Sequence, residues 1–401
     1  MIYVFYSLGF LMIAQGLVSL IEGFRYRTYI RRSMCQPLGT FSPRAALIIP
    51  CKGVDGALEE NLRAFFSQDY PEYEVTFAIA SSDDSARPAI QIVMSENPNI
   101  TSRLVIAGHC EGRSEKVNNL LCALDYVTSD VRVLVFADSD GRVQPNWMRA
   151  LVSPLNHAGV GATTGYRWYL PDSGGFWSAV LSAWNGSVAT TLGDHRRNFA
   201  WGGSTAIMKK TFEQAGIAAR WQRAASDDYV LTRAVREAGL RISYVPRCLV
   251  VSKQNFSFPS LLEFTTRQIV ITRVYDGGRW WRGFISHASF ALTFFGGLGL
   301  AISGALAAKP MFPTLMLLAV IYLLGSLKGA FRLSSSQELL SAERDRAGRL
   351  WWMFLLLWPL VSLIFLYNFA RSATTRRITW HGVCYELRSL AETVLIKSHG
   401  R

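Results

Sequence analysis

Three acidic pairs carry the residue types for chemistry: Asp83-Asp84, Asp138 and Asp140 in VLVFADSDGRV, and Asp227-Asp228 in SDDYVLTRAVREAG. The second pair ends an apolar, β-branched run, where two negative charges need a reason. Carboxylates one residue apart suit a hard divalent cation, and Mg²⁺ typically takes one or two of them together with substrate phosphates. A cation held in this way bridges a diphosphate and stabilises it as a leaving group. An Asx turn or a helix cap is the plainer reading of any single pair. At the third pair, Ser226 or Asp227 caps a helix that Gly239 ends, or one acid takes a proton from an acceptor hydroxyl as general base. No G-x-x-x-x-G-K-S/T loop occurs, which argues against a P-loop ATPase.

The elements that must position these acids alternate between strand and helix over residues 45–251. Strands are expected at residues 46–50, 75–80, 103–107 and 132–137, and helices at 58–67, 88–94 and 116–126. Near-continuous apolar strands separated by helices imply a parallel sheet covered on both faces. Such sheets bind ligands beyond the carboxyl ends of their strands. Asp83-Asp84 and Asp138/Asp140 both follow strands, so they share one rim, and two pairs on one rim weigh toward a site. In GYRWYLP (residues 165–171), the aromatics and Arg167 either lie by an acceptor or close a strand packed on the core. WGGS (residues 201–204) either allows close backbone approach to a ligand or makes a bend.

A chain of 401 residues is expected to hold more than one structural unit. Its apolar residues concentrate at the two ends. Residues 1–21 carry no charge, and about 20 apolar residues span a bilayer. Arg25, Arg27, Arg31 and Arg32 follow, which predicts an uncleaved anchor with its C-terminal side cytoplasmic rather than a signal peptide. Further apolar runs cover residues 284–308, 311–327 and 350–370, the first two joined by Lys309 and Pro310. None has a charge in its middle, which argues against a transporter or channel. Three full spans would put Arg371, Arg376 and Arg377 on the far side. The run containing Pro359 is therefore expected to be re-entrant or interfacial, leaving two or three late spans. Residues 256–275 read as a helix along the membrane surface, or as a buried core helix. Six scattered cysteines without a C-x-x-C pair fit reduced thiols, and the six histidines show no metal-ligand spacing. The net charge of +13 fits an anionic membrane face and an anionic substrate, with no aromatic-basic motif for nucleic acid.

Residues 52–74, KGVDGALEENLRAFFSQDYPEYE, followed in order by ASSDDSARP, EKVNNL, FADSDGRV and SDDYVLTRAVREAG, resemble the ceramide glucosyltransferases of glycosyltransferase family 21. The resemblance covers residues 47–273, and the tail RITWHGVCYEL is similar to a block shared with hopanoid-associated glycosyltransferases. It implies an α/β, GT-A fold (Rossmann-like, with a mostly parallel sheet) flanked by N-terminal and C-terminal transmembrane helices. It also implies inverting transfer of a sugar from a UDP-hexose such as UDP-glucose to a lipid hydroxyl, on ceramide, diacylglycerol or another polar lipid.

By position, the resemblance puts Asp84, beside Asp83, near the donor nucleotide. Lys116 and Asn119 fall in the donor-side loop, and Asp138 at the metal and diphosphate. Asp140 completes the D-x-D for Mg²⁺ or Mn²⁺, and Asp228, beside Asp227, is the expected base. The family's (Q/R)-x-x-R-W keeps its first position as Arg267, followed by Gln268, but Val270 and Ile271 replace Arg and Trp. Arg273 and Trp280 stand nearby, and Trp168 is expected on the acceptor side. The expected organisation is an anchor at residues 1–24, a catalytic domain at 43–255, an interfacial acceptor-side segment at 256–282, a membrane region at 283–370 and a cytoplasmic tail at 371–401. The protein is expected in an inner or plasma membrane with its catalytic domain cytoplasmic. Two competing readings are a catalytically impaired sugar-nucleotide-binding membrane protein, given the lost Arg-Trp, and a processive polysaccharide synthase.

Overall fold

The computed structural model describes residues 2–54, 57–380 and 382–398; Asp55, Gly56 and His381, which fall within the stretches quoted above, lie outside the described residues. The chain forms two units, each assembled from separated segments. One gathers Met1–Arg32, Leu170–Thr190 and Gln254–Thr375; the other gathers Ser33–Tyr169, Thr191–Lys253 and Arg376–Arg401.

The second unit is α/β. Its large sheet contains β1 (Ala45–Pro50), β2 (Tyr73–Ile79), β3 (Ser102–Ile106), β4 (Val133–Ala137), β5 (Val160–Leu170), β6 (Ser204–Met208) and β7 (Arg241–Lys253), in the order β3-β2-β1-β4-β6-β5-β7. The first four in that order run parallel, and β6 lies antiparallel to both β4 and β5. This is the mostly parallel sheet that the alternating signals imply. Parallel neighbours need crossovers, and the helices Leu58–Phe66, Arg87–Glu96 and Glu115–Leu124 supply them. β1 and β4 read AALIIP and VLVFA because helices cover both faces, leaving no solvent side for polar alternation. Leu47, Ile49, Phe65, Phe77, Val135 and Trp147 form the centre of the resulting core. Each such side chain contributes roughly 1.5–3 kcal/mol by leaving water, so the sheet is held by its interior. The loops at its carboxyl rim are left to serve a site.

The same unit ends in a small antiparallel sheet, ordered β10-β9-β8, formed by β8 (Arg377–Trp380), β9 (Val383–Ser389) and β10 (Glu392–Ser398). Leu387 and Tyr385 of β9 are buried. The Tyr385 hydroxyl accepts a 3.2 Å hydrogen bond from the Glu115 backbone N–H, at the start of the Glu115–Leu124 helix.

The first unit is helical. Three of its helices are long and apolar enough to cross a membrane: residues 3–35, Gly277–Leu306 and Phe312–Leu339. Phe5, Met12, Phe290, Phe294, Leu317, Leu318 and Ile321 pack together among them. Residues 350–370 do not make one continuous helix. They divide into Trp351–Leu355 and Trp358–Thr374, with Pro359 in the first turn of the second, where a missing N–H is harmless. Its 17 residues extend roughly 25 Å, short of an apolar bilayer core of about 30 Å. The Phe258–Tyr275 helix starts at a Ser257–Ser260 capping box and buries Leu261, Thr265, Ile269, Val270 and Thr272. Thr265 and Thr266 donate to Asn368 Oδ1 at 3.2 and 3.0 Å. Leu170–Thr190, carrying the Phe176–Ala189 helix, belongs with these helices although both flanking segments belong to the sheet.

Candidate active site

The carboxyl ends of β2 and β4 open onto the acidic pairs. Asp84 Oδ1 accepts from the backbone N–H groups of Ala86 and Gly53, both at 2.9 Å, so it closes its own turn and ties down the loop after β1. Asp83 is exposed, with its carboxylate 3.4 Å from the Ser82 hydroxyl. Cys51 lies beneath this rim; burial, the largest influence, together with Asp84 and Asp138 pushes its thiol up to about 12, so it stays protonated and inert.

Beyond β4 the charges concentrate. Lys116 Nζ stands 2.8 Å from Asp138 Oδ1 and 3.3 Å from Asp227 Oδ1. Three features of sequence place it there. Ser114 caps the Glu115–Leu124 helix by accepting from Val117 N–H, and its hydroxyl donates to Ala225 O at 2.8 Å. Its own N–H donates to Ala224 O at 3.1 Å, which joins this helix start to the loop entering the Asp227–Glu237 helix. Burial disfavours the charged ammonium, but Asp138, Asp227 and Asp228 outweigh it and hold the Lys116 pKa above the ordinary lysine value. Asn119, one turn on, is buried and donates to Ala78 O at 3.3 Å, and its Oδ1 has no partner among the described residues.

Asp227 and Asp228 both sit in the first turn of their helix, which Ser226 caps, yet they diverge. Asp227 is buried at 5% exposure. Burial raises its pKa to about 6, with Asp228 and Asp138 adding to the rise and Lys116 opposing it. Asp228 is half-buried. Its Oδ1 accepts from the Ser226 hydroxyl and, at 2.7 Å, from Tyr229 N–H, while Oδ2 has no protein partner among the described residues.

Arg167 of β5 completes the cluster. Its guanidinium donates to both Asp140 oxygens, one at 2.7 Å, and to Asp138 Oδ2 at 3.1 Å. The side chain is only 9% exposed and is seated by aromatics, 4.9 Å from the Trp201 ring and 5.6 Å from that of Tyr169. The WGGS loop closes against the same groups. A Cβ on Gly202 would lie 2.1 Å from Asp227 Oδ2 and 2.8 Å from Lys116 Nζ; one on Gly203 would lie 2.6 Å from Asp138 Oδ2. Only glycine lets this backbone pass the charged side chains.

The structure therefore brings Lys116, Asp138, Asp140 and Asp227 together, with Asp228 adjoining. Trp168 is buried at 1% exposure. Of the GYRWYLP stretch, its neighbour Arg167 reaches the acids instead, since successive strand residues point to opposite faces. The available signal for Arg167 was a lone charge inside a buried strand, a group that must be paired. Arg267, Gln268 and Arg273 belong to the helical unit. The Arg267 guanidinium lies 5.3 Å from the Phe264 ring centre, and Gln268 O accepts from the Thr272 hydroxyl at 2.8 Å. Val270 is buried. Arg273 lies 5.7 Å from the Trp280 ring centre and donates to Ser372 O at 2.5 Å, while Trp280 Nε1 donates to Ser372 Oγ at 2.8 Å.

Chemically, a lysine and an arginine hold converging carboxylates at the rim of a parallel sheet, where ligands bind. Residues 10–392 match Glycosyl transferase family 21. The chain belongs to this family. It is 25% identical over 254 residues to ceramide glucosyltransferase 1 of Caenorhabditis elegans, covering 62% of this chain and 53% of that protein. It is 30% identical over 109 residues to ceramide glucosyltransferase of Gibberella zeae, covering 27% and 20%. The chain thus spans about half the length, or less, of these family relatives. Among solved structures, the mannosyltransferase PcManGT from Pyrobaculum calidifontis in complex with GDP-Man and Mn²⁺ is similar at 15% identity and a TM-score of 0.49, over 92% of this chain and 99% of that one.

Among the described residues, no group of three His, Cys, Asp or Glu side chains is arranged to hold a metal ion. Asp138 and Asp140 nonetheless converge on one cation, Arg167. Two carboxylates complemented by substrate phosphates are a donor set that Mg²⁺ or Mn²⁺ accepts, so these residues fit such an ion.

Proposed function

We propose that the protein is a membrane-bound inverting glycosyltransferase that moves a hexose from a UDP-sugar, UDP-glucose or a close relative, to the hydroxyl of a membrane lipid. The observation that carries this reading is the Lys116–Asp138–Arg167–Asp140 cluster at the carboxyl rim of the sheet, beside Asp228 with one carboxylate oxygen unpartnered among the described residues. Membership of family 21 and helices long enough to cross a bilayer support the glycosyl transfer and the lipid acceptor.

Asp138 and Asp140 would hold Mg²⁺ or Mn²⁺, which when bound supplies positive charge for the departing diphosphate. Lys116 pairs with Asp138 and Asp227 and adds fixed positive charge on the donor side. Asp84 shapes the loop after β1 by accepting Gly53 N–H. Asp228 takes the proton of the acceptor hydroxyl as it attacks the anomeric carbon. Attack from the face opposite the diphosphate inverts the configuration. Arg273 stacked on Trp280 is the Arg-Trp pair available where Val270 and Ile271 depart from the family motif. The catalytic unit works on the cytoplasmic side, where UDP-sugars are made and where the basic residues flanking the first helix are retained.

The test incubates membranes containing the protein with a panel of UDP-sugars and lipid acceptors, and reads products by mass spectrometry. A glycolipid from at least one pair, lost in Asp228→Asn, is the expected result. No glycolipid from any pair sinks the enzyme reading.

A further inference from the structure

We infer that Arg167 is the resident counter-cation of the Asp138–Asp140 pair: it competes with the divalent ion for these carboxylates and turns to the donor diphosphate when ion and nucleotide arrive together. This rests on the reading of Asp138 and Asp140 as metal ligands. The guanidinium engages both oxygens of Asp140 and Oδ2 of Asp138, so an ion bridging the two acids must contest the same lone pairs. A planar fork on a carboxylate is the strong form of such pairing. A bare divalent ion therefore meets occupied ligands, whereas one arriving with a diphosphate brings its own oxygens and offers Arg167 a new anion.

Two features equip Arg167 to change partner without leaving its seat. Trp201 and Tyr169 hold the guanidinium through their ring faces, and the Tyr169 hydroxyl lies 3.2 Å from one of its terminal nitrogens. Those contacts do not depend on the acids. In addition, the buried Nε–H has no hydrogen-bond partner among the described residues. A buried donor left unsatisfied is costly, and a phosphate oxygen is an acceptor that would satisfy it. An arginine that only braced the strand would be indifferent to metal and nucleotide. A counter-cation sets the affinity for both.

The test measures Mn²⁺ binding to the detergent-solubilised full chain by the electron paramagnetic resonance of free Mn²⁺, with and without UDP, for wild type, Arg167→Gln and Arg167→Lys. Wild type is expected to bind Mn²⁺ weakly alone and tightly with UDP. Arg167→Gln should bind Mn²⁺ alone about tenfold more tightly than wild type, because the carboxylates lose their competitor, and should gain less from UDP. Arg167→Lys, which keeps the charge but not the fork, should fall between, and it decides the matter if the Gln variant does not fold. Nucleotide-dependent Mn²⁺ binding in wild type that both variants reproduce unchanged overturns the role of Arg167 and leaves the metal reading standing. Absence of Mn²⁺ binding in wild type even with UDP overturns both.

Discussion

The Lys116 ammonium stands 3.3 Å from Asp227 Oδ1, joining the start of the Glu115–Leu124 helix to the start of the Asp227–Glu237 helix. Two helix N-termini from distant parts of the sequence thus meet at one ion pair, with the Ser114 bonds to Ala224 and Ala225 beside it. Removing the lysine leaves a buried carboxylate without its partner, a change that costs about 3–5 kcal/mol where it has been measured. Lys116→Met is accordingly expected to lower the thermal unfolding temperature and to weaken UDP binding. Calorimetry of both properties on one purified sample checks the two effects together.

The WGGS loop gives a sharper probe, because the change is a single methyl. With its Cβ 2.1 Å from Asp227 Oδ2, Gly202→Ala must displace either the loop or the ion pair, and a displacement of about 1 Å in a reacting geometry costs on the order of 100-fold. Glycolipid formation should fall by that order. Gly112→Ala, distant from any neighbouring side chain, is the control for handling, although its positive φ adds local strain.

Asp227 and Asp228 are expected to separate in function. Asp228→Asn should reduce kcat by about 10²–10⁴-fold, the range for loss of a general base, with UDP affinity unchanged. Asp227→Asn should instead act on nucleotide affinity through Lys116. Steady-state kinetics paired with UDP titrations distinguish the two, and the reverse pattern would move the base to Asp227.

Asp227 also predicts a pH dependence of stability. Its carboxyl titrates near 6 in the folded protein against a usual 3.8. A carboxyl whose folded pKa is raised favours folding while protonated. That contribution is complete below about pH 4 and is lost as pH rises through about 6. Relative to Asp227→Asn, which carries no such proton, wild type should lose stability over this window. Unfolding temperatures of the two proteins across the range measure the difference, and parallel curves would exclude the shift.

Much of this arrangement can be read from local sequence. β1 to β4 carry continuous apolar runs because both faces are covered, and each run stops where the chain reaches the rim. Asp84 and Asp138 are therefore placed by the same pattern that defines the strands. Arg167 is harder to see, because its partners lie just beyond β4 while its own strand is separated from β4 by β6; pairing at that range leaves no periodic trace. The split between Asp227 and Asp228 is likewise hidden: both favour a helix start, and only the rotation of about 100° per residue sends one inward. The membership of Leu170–Thr190 in the helical unit also escapes local reading, since an apolar helix packs equally well on a sheet or on other helices.

Tyr385 bonds the start of the helix that carries Lys116, yet it follows the whole helical unit in the chain. During synthesis the sheet containing Asp84 and Asp138 emerges well before β9 does. The helices of Gln254–Thr375 must leave the ribosome before Tyr385 can reach Glu115. The start of the Lys116 helix therefore gains this contact late, after the long apolar helices have been made. A nascent chain stalled before that point would hold Asp84, Lys116, Asp138, Asp227 and Asp228 without the contact from Tyr385 that braces the Lys116 helix.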